Sequence, residues 1–215
     1  MPKEQVNITL SSSAGYLKSV DYMLDHINDK NNTHNPNKYA FILVAASALE
    51  SILNNGIIWW AHNRFPMDDY KRMASAFHSM SLRAKLDAFI YVISNSEYIT
   101  NNESNIYQQL SELIKVRNEV AHKKDFFRVI ELDIDEDKEG TLGFEVPDEL
   151  KSFLSDTPLS LAVEQCKNYR HALNHLHDLI TGHENDIHFK DSELCKKITQ
   201  QSAQPVAAKD AAPVS

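Results

Sequence analysis

The stretch NIYQQLSELIKVRNEVAH, residues 105–122, carries the pattern that decides the fold. At about 100° per residue, six of its apolar residues fall within one stripe of a helix: Ile106, Leu110, Leu113, Ile114, Val120 and Ala121. Such a stripe predicts an amphipathic helix that packs into a core. Arg117 interrupts the pattern, because it lies in the middle of the stripe. Asn118 and His122 are four residues apart and are therefore neighbours on one flank.

Four other segments repeat at helical spacing and predict four more helices. The first extends from Tyr16 to Ile27. The second, residues 38–63, is apolar on nearly every side, which predicts the buried central helix of a bundle. The third occupies residues 81–94. The last begins at Thr157-Pro158, an N-cap followed by a first-turn proline, and is closed by Gly182. Between the second and third helices, the segment RFPMDDYKRMASAFH is predicted to be irregular.

The hydrophobic period changes from 3.6 to 2 at about residues 127–147, where two alternating runs flank the turn-like sequence DEDKEG. This change predicts a β-hairpin insertion before the last helix. The fold class is therefore all-α, an up-and-down bundle of about five helices that forms one domain over residues 1–190. Residues 191–215, rich in Gln, Ala and Pro beyond about Lys196, are predicted to be a disordered tail.

Composition and charge exclude several classes of protein. The 215 residues are 42% hydrophobic, enough to close a sizeable core. The formal net charge of −8 argues against a surface that coats nucleic acid generally, so any contact with a polyanion must be local. The N-terminal sequence has no apolar signal region, and we find no run of about 20 apolar residues that would span a membrane. These features predict a cytoplasmic protein without membrane contact.

Metal and cofactor chemistry have little support in the sequence. Cys166 and Cys195 match no disulfide framework and no metal-knuckle spacing, which suits a reducing compartment. His171 and His175 are spaced like a pair of metal ligands, but a third ligand is missing, so we interpret them as structural or solvent-facing. The chain has no Gly-rich nucleotide motif and no nucleophile-elbow motif. We predict no metal site and no cofactor.

The charge of Arg117 needs an explanation, because arginine does not lose its proton on burial. A central position in an apolar stripe implies a paired carboxylate, an anionic ligand or a partner protein that covers this face. Glu50 is the candidate carboxylate, since helical spacing from Tyr39 places it among apolar residues of the second helix. We therefore predict an ion pair between Glu50 and Arg117 within one protomer. This pair has a purely structural interpretation, in which it fixes the register of two helices.

The residues Arg117-Asn118-Glu119-Val120-Ala121-His122 form an R-N-x-x-x-H motif that resembles the R-x(4–6)-H signature of the HEPN superfamily of small all-helical proteins. The helical context is similar, since helices such as AASALESILN and SLRAKLDAF precede the motif in the usual order. The resemblance covers about residues 11–182. It implies a metal-independent endoribonuclease of a toxin–antitoxin or anti-phage system that acts as a homodimer. The hairpin insertion is not a general feature of that family.

The resemblance implies roles for particular residues. Arg117, Asn118 and His122 of two protomers would form one composite cleft in which the 2′-hydroxyl of RNA attacks the adjacent phosphate. His122 would transfer the proton, Arg117 would stabilise the charge on the phosphoryl oxygens, and Asn118 would orient either residue. Glu50 would support Arg117. Lys123 and Lys124 supply local positive charge for substrate binding, although ordinary exposed lysines would look the same.

Two classes of function remain open on the sequence. One is the ribonuclease effector, with RNA as substrate, transfer RNA included, and with an antitoxin or regulatory protein as a further partner. The other is a non-catalytic HEPN-like helical module that dimerises or binds a partner or nucleotide, with the Arg/His pair as structure. The intact Arg117, Asn118 and His122 favour the first class.

Overall fold

The computed structural model describes residues 12–27, 36–66, 68–121, 134–136, 142–144, 161–181 and 189–198. These residues form six helices: α1 (Ser13–Asp25), α2 (Pro36–Arg64), α3 (Tyr70–His78), α4 (Leu82–Ile93), α5 (Asn105–Ala121) and α6 (Val163–Thr181). Four short strands are also present: β1 (Tyr98–Thr100), β2 (Ile134–Glu136), β3 (Leu142–Phe144) and β4 (Cys195–Lys197). The predicted all-α bundle with a small β insertion is confirmed.

Helix α2 is the centre of the bundle and packs against α1, α3, α4, α5 and α6. Phe41, Ile42, Leu49 and Leu53 on this helix are completely buried. By length and composition alone, α2 is the one helix of the described residues that could cross a membrane, where the sequence predicted none. However, 56% of that apolar window is buried inside the protein. Burial on almost every side explains why α2 shows no polar face.

Helix α3 corrects the prediction for residues 64–78, which were expected to be irregular. Met73, Ala74 and Phe77 follow Tyr70 at helical spacing, and Ala74 is buried. Phe77 packs edge-on against Trp60 of α2, with ring centroids 5.7 Å apart. The helix has only nine residues, and isolated helices this short are marginal in water. Tertiary packing against α2 therefore stabilises a helix whose apolar residues recur at helical spacing but which is too short to be stable alone.

The directions of the helices follow from side-chain contacts. Glu50 meets Lys85 and Trp60 meets Asn95, so α2 and α4 run in parallel. Helix α5 runs opposite to α4, because Tyr107 bonds to Asp87, whereas Ser111, one turn later on α5, bonds to Arg83, one turn earlier on α4. The last turn of α5 therefore lies towards the end of the bundle where α2 begins.

The hairpin prediction is confirmed, whereas the tail prediction is wrong over its first residues. Strands β2 and β3 pair antiparallel, with Ile134 opposite Phe144. Residues 191–198, assigned to a disordered tail, instead form the end of a 3-10 turn and the strand β4, which pairs antiparallel with β1. Leu194 is buried, and its carbonyl accepts a hydrogen bond from Asn101 N–H at 2.8 Å. Residues 199–215 lie outside the described residues.

Candidate functional site

Arg117 lies in the last turn of α5, and it is only partly buried. Leu113, Ile114 and Val116 before it face the core and are at most 8% exposed. Arg117 itself has intermediate exposure, and Asn118 is exposed. The helix keeps contact with the core beyond this point, since Val120 is partly buried and packs against it. The arginine continues the apolar stripe in phase, at the margin of the core, where its side chain is partly open to solvent.

The guanidinium of Arg117 is oriented by its neighbour. Its Nη1 donates a hydrogen bond to Oδ1 of Asn118 at 3.0 Å. Glu119, the nearest acid along the chain, lies 3.9 Å from Nζ of Lys115. Among the residues that the structure describes, no carboxylate forms an ion pair with Arg117. Of the three explanations for its charge, the anionic ligand and the covering partner are therefore the two that this part of the structure leaves open.

The predicted pair between Glu50 and Arg117 is wrong. Oε1 of Glu50 accepts a hydrogen bond from Nζ of Lys85 at 3.0 Å. The Glu50 side chain is 48% exposed, whereas the Lys85 side chain is 1% exposed. The helical phase was correct, since Glu50 shares a face with the buried Ala46 and Ile57, but Leu43 on the same face is 41% exposed. This face therefore lies at the edge of the core, and its polar groups reach solvent.

Lys85 was not singled out from the sequence, although it lies three residues after Leu82 and four before Phe89, on the apolar face of the predicted helix. Lys85 lies in a correctly predicted helix, directly before the completely buried Leu86. A lysine at such a position normally extends its stem along the core and keeps its ammonium in water. Here the ammonium is instead buried beneath Glu50, whose carboxylate lies at the surface. The role that was assigned to Arg117, the cation for Glu50, belongs to Lys85.

His122, Lys123 and Lys124 follow α5 directly in the chain and lie outside the described residues. The geometry of the R-N-x-x-x-H motif is therefore given for Arg117 and Asn118, and the roles of the other three residues stay predictions. The acidic turn between β2 and β3 also lies outside the described residues.

A polar seam joins the start of α6 to α5. Nε2 of Gln165 donates to Oε1 of Gln109 at 2.7 Å and to Oε2 of Glu112 at 3.0 Å. One turn further along, Tyr169 is completely buried and its hydroxyl has no hydrogen-bond partner. Burial raises the pKa of Tyr169 to about 12. The seam fixes α6 against α5, and its residues were missed because polar residues at helical spacing look like a solvent face.

Within the described ranges, no group of three or more His, Cys, Asp or Glu side chains could hold a metal ion. His171 is exposed, and Nε2 of His175 lies 2.8 Å from Oγ of Ser192 on the segment before β4. This contact agrees with the structural interpretation of His175. Burial raises the pKa of the Cys195 thiol to about 11, so the thiol stays protonated near neutral pH and is a poor nucleophile.

The opposite end of the bundle has a cavity that the sequence did not predict. It measures about 410 Å³ and lies at the C-terminal end of α2, beside the turn that joins α4 to β1. Both tryptophans of the chain, Trp59 and Trp60, line it together with Arg64 and Glu97. Residues from three separate parts of the chain meet there, which no local pattern indicates.

Comparison with known proteins adds no relative from which a role could be transferred. No family model matches the chain, and it matches no curated protein and no solved structure.

Proposed function

We propose that the chain is a metal-independent endoribonuclease of the HEPN type, an effector of a toxin–antitoxin or anti-phage system that acts in the cytoplasm. One observation carries the proposal: the guanidinium of Arg117 is held by Asn118 at the partly exposed end of α5, with no described carboxylate to neutralise it. A cation that is oriented but not neutralised suits an anionic ligand such as a phosphate.

The chemistry needs a proton-transfer group and a group that stabilises negative charge. The 2′-hydroxyl of RNA attacks the adjacent phosphorus, and the bond from phosphorus to the 5′-oxygen breaks. The products are a 2′,3′-cyclic phosphate and a 5′-hydroxyl. His122 of one protomer takes the proton from the 2′-hydroxyl, and His122 of the other returns a proton to the leaving oxygen. Arg117 donates to the phosphoryl oxygens, where charge grows in the transition state.

A homodimer is part of the proposal. Two copies of the R-N-x-x-x-H segment, related by a two-fold axis, would bring both Arg117 side chains to one cleft. Partial exposure of Arg117 in the single chain supports such a surface. Lys123 and Lys124 would add positive charge at its rim. An antitoxin or regulatory protein would act by covering the same cleft.

Cleavage of RNA in excess EDTA tests the proposal. The purified protein should cut single-stranded or loop RNA, with total transfer RNA as the first substrate, because its loops present unstacked bases. Substrate with a 2′-deoxy sugar at the cleaved position should resist, since the nucleophile is missing. His122→Ala should lower the rate about 10²–10⁴-fold, as expected for a general acid–base group. Equal cleavage by wild type and His122→Ala would contradict the site.

Arg117→Ala is the second variant, and because Arg117 lies at the proposed dimer interface, light scattering must show that the variant keeps the oligomeric state of the wild type. We expect a loss of roughly 10²–10³-fold in rate, as for other groups that stabilise transition-state charge. Lys115→Ala is the matched control, since it removes a positive charge from the same turn and its side chain is 78% exposed. Loss of activity in both variants would indicate general electrostatics. If neither the wild type nor any variant cuts RNA, the non-catalytic binding module is favoured.

A further inference from the structure

The cavity at the C-terminal end of α2 has an aromatic wall that is partly open to solvent. Trp59 is 48% exposed, although tryptophan is among the residues most highly buried on average. Trp60 beside it is held in place. Its indole N–H donates to Oδ1 of Asn95 at 3.3 Å, and its ring packs edge-on against Phe65 and Phe77. One ring is thus fixed, and the other lines the cavity with about half of its surface exposed.

Two opposite charges line the same cavity without neutralising each other. Arg64 ends α2, and Glu97 precedes β1. Both residues are exposed, and neither forms an ion pair with any described residue. A ligand that spans the cavity would therefore contact the guanidinium N–H donors of Arg64 and the carboxylate of Glu97.

The turn that supplies Asn95 has an unusual backbone. Asn95 and Ser96 have φ angles of 52° and 69°, in the left-handed region. Asparagine tolerates this conformation, but serine adopts it less often. Backbone in such regions concentrates at ligand sites and is maintained by its surroundings. The turn sets Asn95 against Trp60, and because Oδ1 of Asn95 is already used, its amide NH₂ remains as a donor.

We propose that this cavity binds a guanosine monophosphate unit, with the guanine stacked on Trp59, its Watson–Crick edge on Glu97 and its phosphate on Arg64. Guanine carries two adjacent donors, N1–H and the N2 amino group, which pair with the two oxygens of one carboxylate. Adenine and cytosine place a ring acceptor beside their amino group, and uracil has a single ring donor. Asn95 adds a donor for O6 of guanine. The volume of about 410 Å³ lies within the usual range for small-ligand sites, roughly 300–1,000 Å³.

The same chemistry has two sources, a free nucleotide and a guanine within single-stranded RNA. Base stacking on an aromatic residue beside a cation is how proteins hold single strands. Lys197, exposed on β4 next to Glu97 in an adjoining pocket, would favour further phosphates of a strand. The site lies at the opposite end of the bundle from Arg117 and does not depend on the proposed ribonuclease activity.

Tryptophan fluorescence tests the site directly, because Trp59 and Trp60 are the two tryptophans of the chain and both line the cavity. The full-length protein is titrated with GMP, AMP, guanosine and glucose, and with the RNA pentamers AAGAA and AAAAA. The His122→Ala chain is used for the RNA arms, so that cleavage does not affect the measurement. GMP should quench saturably and bind at least tenfold more tightly than AMP, and glucose should not bind. AAGAA binding far more tightly than GMP identifies a strand as the ligand, and equal affinities identify the free nucleotide.

Variants at three residues test which side chain contacts which part of the ligand. Their affinities are measured by fluorescence and by calorimetry. Glu97→Gln should abolish the preference for GMP over AMP, because one oxygen becomes a donor. Arg64→Ala should weaken GMP binding but leave guanosine binding unchanged. Trp59→Ala should weaken all guanine ligands at least tenfold, whereas Trp59→Phe should retain most of the affinity. Tyr91→Ala, an exposed aromatic residue that does not line the cavity, is the control and should have no effect.

The proposal is overturned if GMP does not bind at millimolar concentration, if AMP or glucose binds as tightly, or if Glu97→Gln keeps the guanine preference. Arg64 and Glu97 are exposed, so their variants should fold normally, and circular dichroism checks this for Trp59→Ala. Because binding is measured without cleavage, a failure here leaves the ribonuclease proposal intact. Conversely, an inactive nuclease that still binds GMP supports this site alone.

Discussion

Removal of an exposed carboxylate should destabilise this protein more than removal of the buried lysine that it pairs with. Lys85 has its side chain 1% exposed, and its ammonium is 3.0 Å from Glu50. Glu50→Ala leaves that ammonium without its carboxylate. Lys85→Met removes the charge but keeps a stem of similar length, and the freed Glu50, already 48% exposed, is hydrated by water. The two changes break the same bond and should have very different effects.

The magnitude follows from the burial of the two partners. Removing one partner of a fully buried pair costs about 3–5 kcal/mol. Here water reaches the ammonium from the side that Glu50 vacates, so we expect Glu50→Ala to lower the free energy of unfolding by about 2 kcal/mol, or the Tm by roughly 4–8 °C. Lys85→Met should change it by less than about 1 kcal/mol in either direction. The double variant should resemble Lys85→Met.

Urea unfolding of the four proteins, followed by circular dichroism, gives the comparison as a double-mutant cycle. Glu119→Ala is the matched control, because the Glu119 side chain is also 48% exposed but its partner Lys115 is 78% exposed. An exposed pair of this kind contributes little, so Glu119→Ala should stay within about 0.5 kcal/mol of wild type. If Glu50→Ala is no more destabilising than Glu119→Ala, the ammonium of Lys85 does not need Glu50, and the argument from burial is refuted.

The other predictions concern packing, ionisation and assembly. Gly56→Ala should lower the free energy of unfolding by about 1–3 kcal/mol, because an added Cβ would lie 2.5 Å from Cζ of Phe89. Gly15→Ala should be neutral or stabilising, since an added Cβ there would have no atom within 4 Å. Burial raises the pKa of Tyr169 to about 12 in the folded protein, so the unfolded chain loses this proton first as the pH rises. The free energy of unfolding should therefore fall by on the order of 2 kcal/mol between about pH 10 and 12, and Tyr169→Phe should remove this dependence on pH. Light scattering at micromolar concentration should give a dimer that Arg117→Glu weakens, and a monodisperse wild-type monomer would count against the composite cleft.

The hydrophobic pattern was enough to predict α1, α2, α4, α5 and α6, together with the β2–β3 hairpin. Each of these elements buries one face or alternates strictly, and periodicity reports such local amphipathicity directly. The pattern was less informative where an element is short. Helix α3 has nine residues and packs on Trp60 of α2, so its helical spacing covers too few turns to be distinguished from the irregular residues before it.

The tertiary structure decided which residues that are distant in the chain contact each other. The sequence showed that Glu50 and Arg117 each carry charge on an apolar stripe, but a stripe does not say which helix will face it or how far the core extends along it. Helix α4 faces Glu50 and supplies Lys85, and Arg117 lies at the margin of the core, where no described carboxylate reaches it. Strand β4 likewise needs β1, almost 100 residues away along the chain. The sequence by itself determined which faces are apolar, because that is a local property; only the fold decided which charges meet, because contacts between helices are non-local.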